Sequence, residues 1–225
     1  MSFVSETADW LTNSVNWSGD DGIPHRLVEH LGYTALTVAI ASAIAIPLGL
    51  WIGHTGGFRT SAVAITGALR ALPTLGLLTF IVLISSIGLT PSIIALTVLS
   101  IPPVLAGAYS GVESVDRQTI DAARAIGMTE WQILTKVEVP LALPLIVGGL
   151  RSATLQVVAT ATVAAYVGLG GLGRYIIDGQ AQYDYGQMIG GSVLVVVLAL
   201  LLDGVFAGLQ KLALGSRPSL TPSRA

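Results

Sequence analysis

Residues 31–52 run for 22 positions without a charged side chain, enough for about 33 Å of helix, the thickness of a bilayer's hydrocarbon core. No other feature restricts the fold as much, because a segment that leaves water must satisfy its own backbone, and only helices and closed barrels do so. Four more spans are read in the same way. Residues 62–72 and 75–88 make one long helix bent at Pro73, with Arg70 buried in the bundle or reaching its edge. Residues 92–109 form the third span, 141–167 the fourth with Arg151 inside it, and 188–209 the fifth with Asp203 inside it. A chain that is 52% hydrophobic and 11% charged fits this reading. The expected fold is therefore an all-α integral membrane protein of about five transmembrane helices. Residues 1–30 precede a single transmembrane domain at 31–210, and 211–225 form a tail.

Several features qualify the spans. Pro47 kinks the first, and Gly49 with Gly53 allows another helix to approach closely. The pair Pro102-Pro103 must break or bend the third, which suits either a lining of the translocation path or a packing kink. Arg151 and Asp203 lie at similar depth in neighbouring spans; they form a buried ion pair, or each snorkels alone to the interface. The polar, acidic residues 1–30 lack a basic start and an apolar run, so no cleaved signal peptide is expected there, and Trp10 and Trp17 suit a lipid interface.

Residues 116–144 are a polar island, holding Asp116, Arg117, Asp121, Arg124, Glu130 and Lys136. They read as two short helices: Asp116 caps the first, Gly127 stops it, and Thr129 with Gln132 forms a capping box for the second. Pro140 and Pro144 mark a change of direction before the next span. Ala122, Ala123 and Ala125 keep the first helix thin, while Ile120 and Ile126 offer apolar anchors. A plug for a partner's socket and an amphipathic loop on the membrane surface both fit these residues.

Asp121, Ala122 and Ala123, then Gly127 after three residues, then Val137, Glu138, Val139 and Pro140 after nine more, resemble the EAA loop of bacterial ABC importer permeases. That loop reads Glu-Ala-Ala, three residues, Gly, nine residues, Ile, any residue, Leu, Pro. Asp121, Val137 and Val139 depart from it conservatively. The resemblance implies a type I importer permease-like fold in which residues 112–140 form a cytoplasmic loop docked on an ATP-binding subunit. Asp121, Ala122, Ala123, Arg124, Gly127, Glu130 and Pro140 carry that coupling, with Arg124 and Glu130 making polar contacts and Gly127 the bend.

Residues 121–173 are similar to the permeases of glycine betaine, carnitine and choline importers. This implies uptake of quaternary ammonium osmoprotectants, with another small solute such as an amino acid as the alternative. The implied partners are a dimer of ATP-binding cassette subunits, a second permease copy or paralogue, an extracytoplasmic solute-binding protein and membrane lipid, with no nucleic acid. The chain itself binds no cofactor; ATP and Mg belong to the partner subunit. Gly168, Gly170 and Gly173 spell GxGxxG, but a membrane span precedes them and no strand-turn-helix unit surrounds them, which argues against a dinucleotide site. A similar glycine-rich turn follows the corresponding span in osmoprotectant permeases. With Tyr166 and Gly171 it is therefore a flexible external gate beside the path, or a re-entrant turn.

Charge counting agrees with the orientation implied. With the loop in the cytoplasm, Arg59, Arg117, Arg124, Lys136, Lys211, Arg217 and Arg224 lie inside, against Arg26 and Arg174 outside. The setting is then the bacterial inner membrane, with the N-terminus outside and the C-terminus in the cytoplasm. Without cysteine there is no disulfide or thiolate chemistry, and His25, His30 and His54 have no metal-ligand spacing. No Walker lysine motif, convergent acids or serine with a base indicates an enzyme. A secondary transporter or channel remains the other transport class, but it would show internal repeats and midplane charges, and no repeat is visible.

Overall fold

A computed structural model describes residues 3–215 of the chain. The tail cations Arg217 and Arg224, and with them most of the tail expected at 211–225, lie outside the described residues. Among those described the protein is helical throughout: α1 (Phe3–Thr12), α2 (Ile23–Thr55), α3 (Arg59–Arg70), α4 (Thr74–Ile84), α5 (Leu89–Glu113), α6 (Arg117–Ala125), α7 (Glu130–Ile133), α8 (Val139–Ala164), α9 (Gly173–Gln182) and α10 (Tyr185–Gly215). Four helical stretches are long and apolar enough to cross a membrane, and a fifth if the bent pair α3 and α4 is one span.

The bundle is organised around α5, which packs between α2 and α8. Of its most apolar stretch 67% is buried, against 6% for α10, so α5 is the core and α10 faces outward. Small residues let the backbones approach, as expected where helices pack in lipid without a hydrophobic driving force. Gly49 and Gly53 on α2 face Ala108 and Val112 on α5, and Gly107 on α5 meets Gly149 on α8.

Of three proline expectations, the first is narrowed and the other two are corrected. Pro102 and Pro103 do not break α5, which runs unbroken from Leu89 to Glu113. Pro103 has no N–H for the carbonyl of Leu99, four residues back, and Gln156 on α8 donates its side-chain amide to that oxygen at 2.8 Å. Gln156→Leu is therefore expected to lower stability by about 1 kcal/mol, read from thermal melting in detergent. An unchanged melting temperature would remove this account of how the pair is tolerated.

Pro140 and Pro144 do not turn the chain either. Helix continues from Glu130 to Val167. Pro140 falls in the first turn of α8, where no N–H is required, directly after a π-turn at Leu134–Glu138 in which Val139 N–H reaches the carbonyl of Leu134. Pro73 has the opposite outcome: in place of one gently bent helix it separates α3 and α4, which meet at 86°. Its own extended backbone and the restriction it places on Leu72 end one helix and start another. Arg70 is exposed at the end of α3, not buried.

The first and fifth spans are longer than their apolar cores, because polar residues at the ends find tertiary partners. Helix α2 starts at Ile23, well before residue 31. Trp10 packs edge-on against Tyr175 with ring centroids 5.0 Å apart, so it faces protein and not lipid. Trp17 is half exposed, its indole N–H donating to the Leu11 carbonyl at 2.8 Å.

Candidate functional site

The polar island forms an elbow at one end of the bundle. Asp116 caps α6 by accepting from Gln118 N–H at 3.1 Å. At the far end Gly127 takes φ +86, its N–H bonds the Arg124 carbonyl and Met128 N–H bonds that of Ala123. These are the two hydrogen bonds of a Schellman stop. Thr129 and Gln132 then close a reciprocal capping box at 3.3 and 2.9 Å. Both turns of the elbow are thus specified by local sequence.

Of the Asp121-Ala122-Ala123 run, only Ala123 is buried. Arg124 and Glu130 clasp each other across the bend, Nε to Oε1 at 2.8 Å and Nη2 to Oε2 at 3.0 Å, and Asp121 adds a longer contact at 3.5 Å. The hydrogen bond to Glu130 holds the Arg124 guanidinium above its ordinary pKa. Their charges therefore fix the elbow's shape. Beside exposed polar residues such as Gln118, Thr119 and Asp121, it presents two large apolar side chains outward: Ile126 is 79% exposed and Trp131 72%. Ile120 instead lines a recess of about 320 Å³ that lies between α6 and the ends of α2 and α5. Pro140 is exposed at the start of α8.

Two polar residues that meet beneath the elbow escape a reading by motif. Glu138, the unspecified position of the Val137 to Pro140 run, is 2% exposed, and His54 at the end of α2 donates Nδ1–H to it at 2.5 Å. The other ring nitrogen of His54 lies 3.4 Å from Glu130. The available signal was a carboxylate opening an apolar span, where a charge carried into the bundle requires a partner.

The glycine-rich turn lies at the other end of α2. Glu29 accepts from Gly171 N–H at 2.9 Å and from Arg26 at 2.8 Å. His30 is fully buried and donates Nε2–H to the Val158 carbonyl at 3.1 Å. Glu29 and His54 are 25 residues apart on one helix, about 38 Å, which exceeds the hydrocarbon core. The elbow and the turn therefore sit at opposite ends of this helix, farther apart than a hydrocarbon core is thick.

The glycine-rich turn is packed closely against its neighbours. Gly168 and Gly171 take φ +89 and +80, Gly170 faces the Glu29 carboxylate, and Gly173 begins α9 against the Thr162 backbone. Tyr166 donates to Gln180 at 2.7 Å, and the Tyr175 hydroxyl, pushed up to about 12 by burial, donates to the Asp21 carbonyl at 2.6 Å. A Cβ on Gly173 would stand 2.6 Å from the Thr162 carbonyl oxygen. Gly173→Ala is expected to cost about 2 kcal/mol by displacing α9, measurable as a lower melting temperature in detergent. A variant as stable as the parent would show that α9 yields freely.

Pro102 and Pro103 are buried in α5, remote in the fold from the elbow. Arg151 and Asp203 are brought together, Nε to Oδ1 at 2.6 Å and Nη2 to Oδ2 at 2.7 Å, joining α8 to α10. No group of three or more His, Cys, Asp or Glu placed to hold a metal occurs among the described residues.

Residues 45–214 match the family described as the inner membrane component of binding-protein-dependent transport systems. The chain is 34% identical over 183 residues to the glycine betaine/carnitine/choline transport system permease protein OpuCB of Bacillus subtilis (strain 168), covering 81% of this chain and 84% of that protein. It is 32% identical to the osmoprotectant import permease protein OsmW of Salmonella typhimurium, covering 81% and 87%. Among solved structures, an inward-facing MetNI methionine ABC transporter superposes with a TM-score of 0.74 at 26% identity, over 82% of this chain and 93% of that one.

Proposed function

The chain belongs to the family of inner membrane components of binding-protein-dependent transport systems, and from that premise we propose that its elbow seats a separate ATPase and that its solutes are quaternary ammonium osmoprotectants. It is a permease subunit of an ABC importer, embedded in the membrane, and ATP hydrolysis belongs to another subunit. Family membership also implies a solute-binding partner. The finer reading places α6 and the bend at Gly127 in a groove of the ATPase, faces the elbow to the cytoplasm, and puts the N-terminus outside.

One observation carries the reading: the elbow is internally satisfied yet leaves Ile126 and Trp131 exposed. A loop folded for its own sake has no use for a bare indole beside a completed capping box, whereas an interface hot spot is built from such anchors. The elbow also has a mechanical outlet. Because α7 runs without a break through the π-turn into α8, a push on it tilts a helix that crosses the core. ATP and Mg on the partner supply the closing force, and alternating access follows from the tilt. The outward-facing α10 is the surface left for lipid and for a second permease, identical or paralogous.

The solute assignment rests on the osmoprotectant relatives, which span four fifths of the chain. Uptake of labelled glycine betaine, carnitine, choline and methionine, in cells with and without this chain, separates that assignment from an amino-acid importer. Accumulation of methionine alone would reject the osmoprotectant reading. For the elbow, Trp131→Asp is expected to weaken capture of the ATPase subunit by tenfold or more, roughly the effect of losing one hot-spot residue. Undiminished copurification would count against the docking role.

A further inference from the structure

We propose that His54 is the strut through which the elbow moves the first span, a positioning residue that ties the end of α2 to Glu138 and Glu130. The proposal rests on the importer reading above and adds the path by which force leaves the elbow. Helix α6 packs on α7 and on the π-turn, not broadly on the spans. Between α6 and the ends of α2 and α5 lies the 320 Å³ recess, lined in part by Arg59, Tyr109, Glu113 and Arg117. A gap of that size transmits little by packing, since apolar contact decays within a fraction of an ångström.

His54 crosses beside this gap. It comes from the last turn of α2, its Nδ1–H is 2.5 Å from a Glu138 oxygen, and its Nε2 faces Glu130 at 3.4 Å. Glu130 is in turn held by the bidentate Arg124 of α6. One ring therefore links three parts that must move together: α6 through Arg124 and Glu130, the π-turn through Glu138, and α2. Glu138 is 2% exposed with His54 in place, so parting the two costs the carboxylate its one short hydrogen bond and leaves it facing only the recess it lines. A contact that is costly to break and short in reach behaves as a rigid link. The π-turn that holds Glu138 is an irregularity of the kind found at functional positions, and it aims this side chain at α2.

The test uses the whole complex in liposomes, with ATPase, both permeases, binding protein and labelled glycine betaine. His54→Leu alone strands Glu138, so the decisive variant is His54→Leu with Glu138→Leu, which removes both polar groups and keeps an apolar contact. Expected is full retention of the ATPase subunit, ATP hydrolysis within about twofold of the parent, and uptake per ATP lower by about tenfold. His54→Gln, whose amide donates to Glu138, is expected to recover most of the ratio, which a purely structural role does not predict. Parental uptake per ATP in the double variant would overturn the proposal. Loss of the ATPase subunit in that variant would also overturn it, by making His54 part of the docking surface. If the parent chain itself fails to retain an ATPase, the importer reading falls first, and the two failures are told apart.

Discussion

Leucine in place of Gly149 is expected to keep the chain from accumulating as a folded protein in the membrane. At this point α8 crosses α5, and a single Cβ on Gly149 would stand 2.8 Å from the Pro103 carbonyl oxygen and 3.0 Å from Gly107 Cα. Viewed from α5 the fit is as close: a Cβ on Gly107 would lie 2.7 Å from Gly149 Cα and 2.8 Å from the Leu145 carbonyl oxygen. All four neighbours are backbone, so no side chain can swing aside. Overpacking by one or two carbons costs about 1–3 kcal/mol. Leucine adds four, and a domain whose whole stability is about 5–15 kcal/mol does not absorb that at its centre. Size-exclusion of a fluorescent fusion measures the result, with Gly107→Leu expected to behave alike. Gly204→Leu on α10, where an added Cβ meets nothing within 4 Å, is expected to be tolerated. Normal yield and melting temperature for Gly149→Leu would mean that α5 and α8 do not cross here.

The parts of this protein that were legible in advance depend on residues near one another in sequence. A charge-free run announces a span, and Asp116, Gly127, Thr129 and Gln132 specify the elbow because each satisfies backbone groups within a few positions. The illegible parts depend on distant partners. Pro102-Pro103 reads as a break until Gln156, 57 residues from Leu99, supplies a donor. Helix α2 begins eight residues before its apolar run, and there Glu29 accepts from Gly171 N–H and His30 donates to the Val158 carbonyl, more than a hundred positions away. Glycines 168 to 173 suggest mobility by composition, yet they are small so that Glu29, His30 and Thr162 can lie against them. His54 meets Glu138 across 84 residues, and no spacing rule connects them. Arg124 and Glu130 illustrate an intermediate case: their proximity follows from the bend, but their use on each other does not follow from charge alone.

The Arg151 and Asp203 pair, one of two alternatives open from the sequence, joins residues 52 positions apart, and it yields the second large effect. Helix α10 is the least buried span, and beside the apolar contacts around Leu198 two specific polar ties set its register against α8: this bidentate pair and the Gln210 amide donating to the Pro144 carbonyl at 3.0 Å. Removing one charge leaves the other without a partner in or beside lipid, while removing both leaves nothing to desolvate. Arg151→Leu and Asp203→Leu are therefore each expected to lower the melting temperature in lipid nanodiscs, on the order of 5 °C or more. The double replacement should recover most of the loss. Equal loss in all three variants would mean that the pair sets the position of α10 through geometry that leucine cannot reproduce. In that case Gln210→Ala, which cuts the neighbouring tie, should add to the damage in the double variant. Full recovery, by contrast, makes the pair a device of specificity: each half is harmful alone, and together they fix which face of α10 meets α8 at almost no net gain in stability.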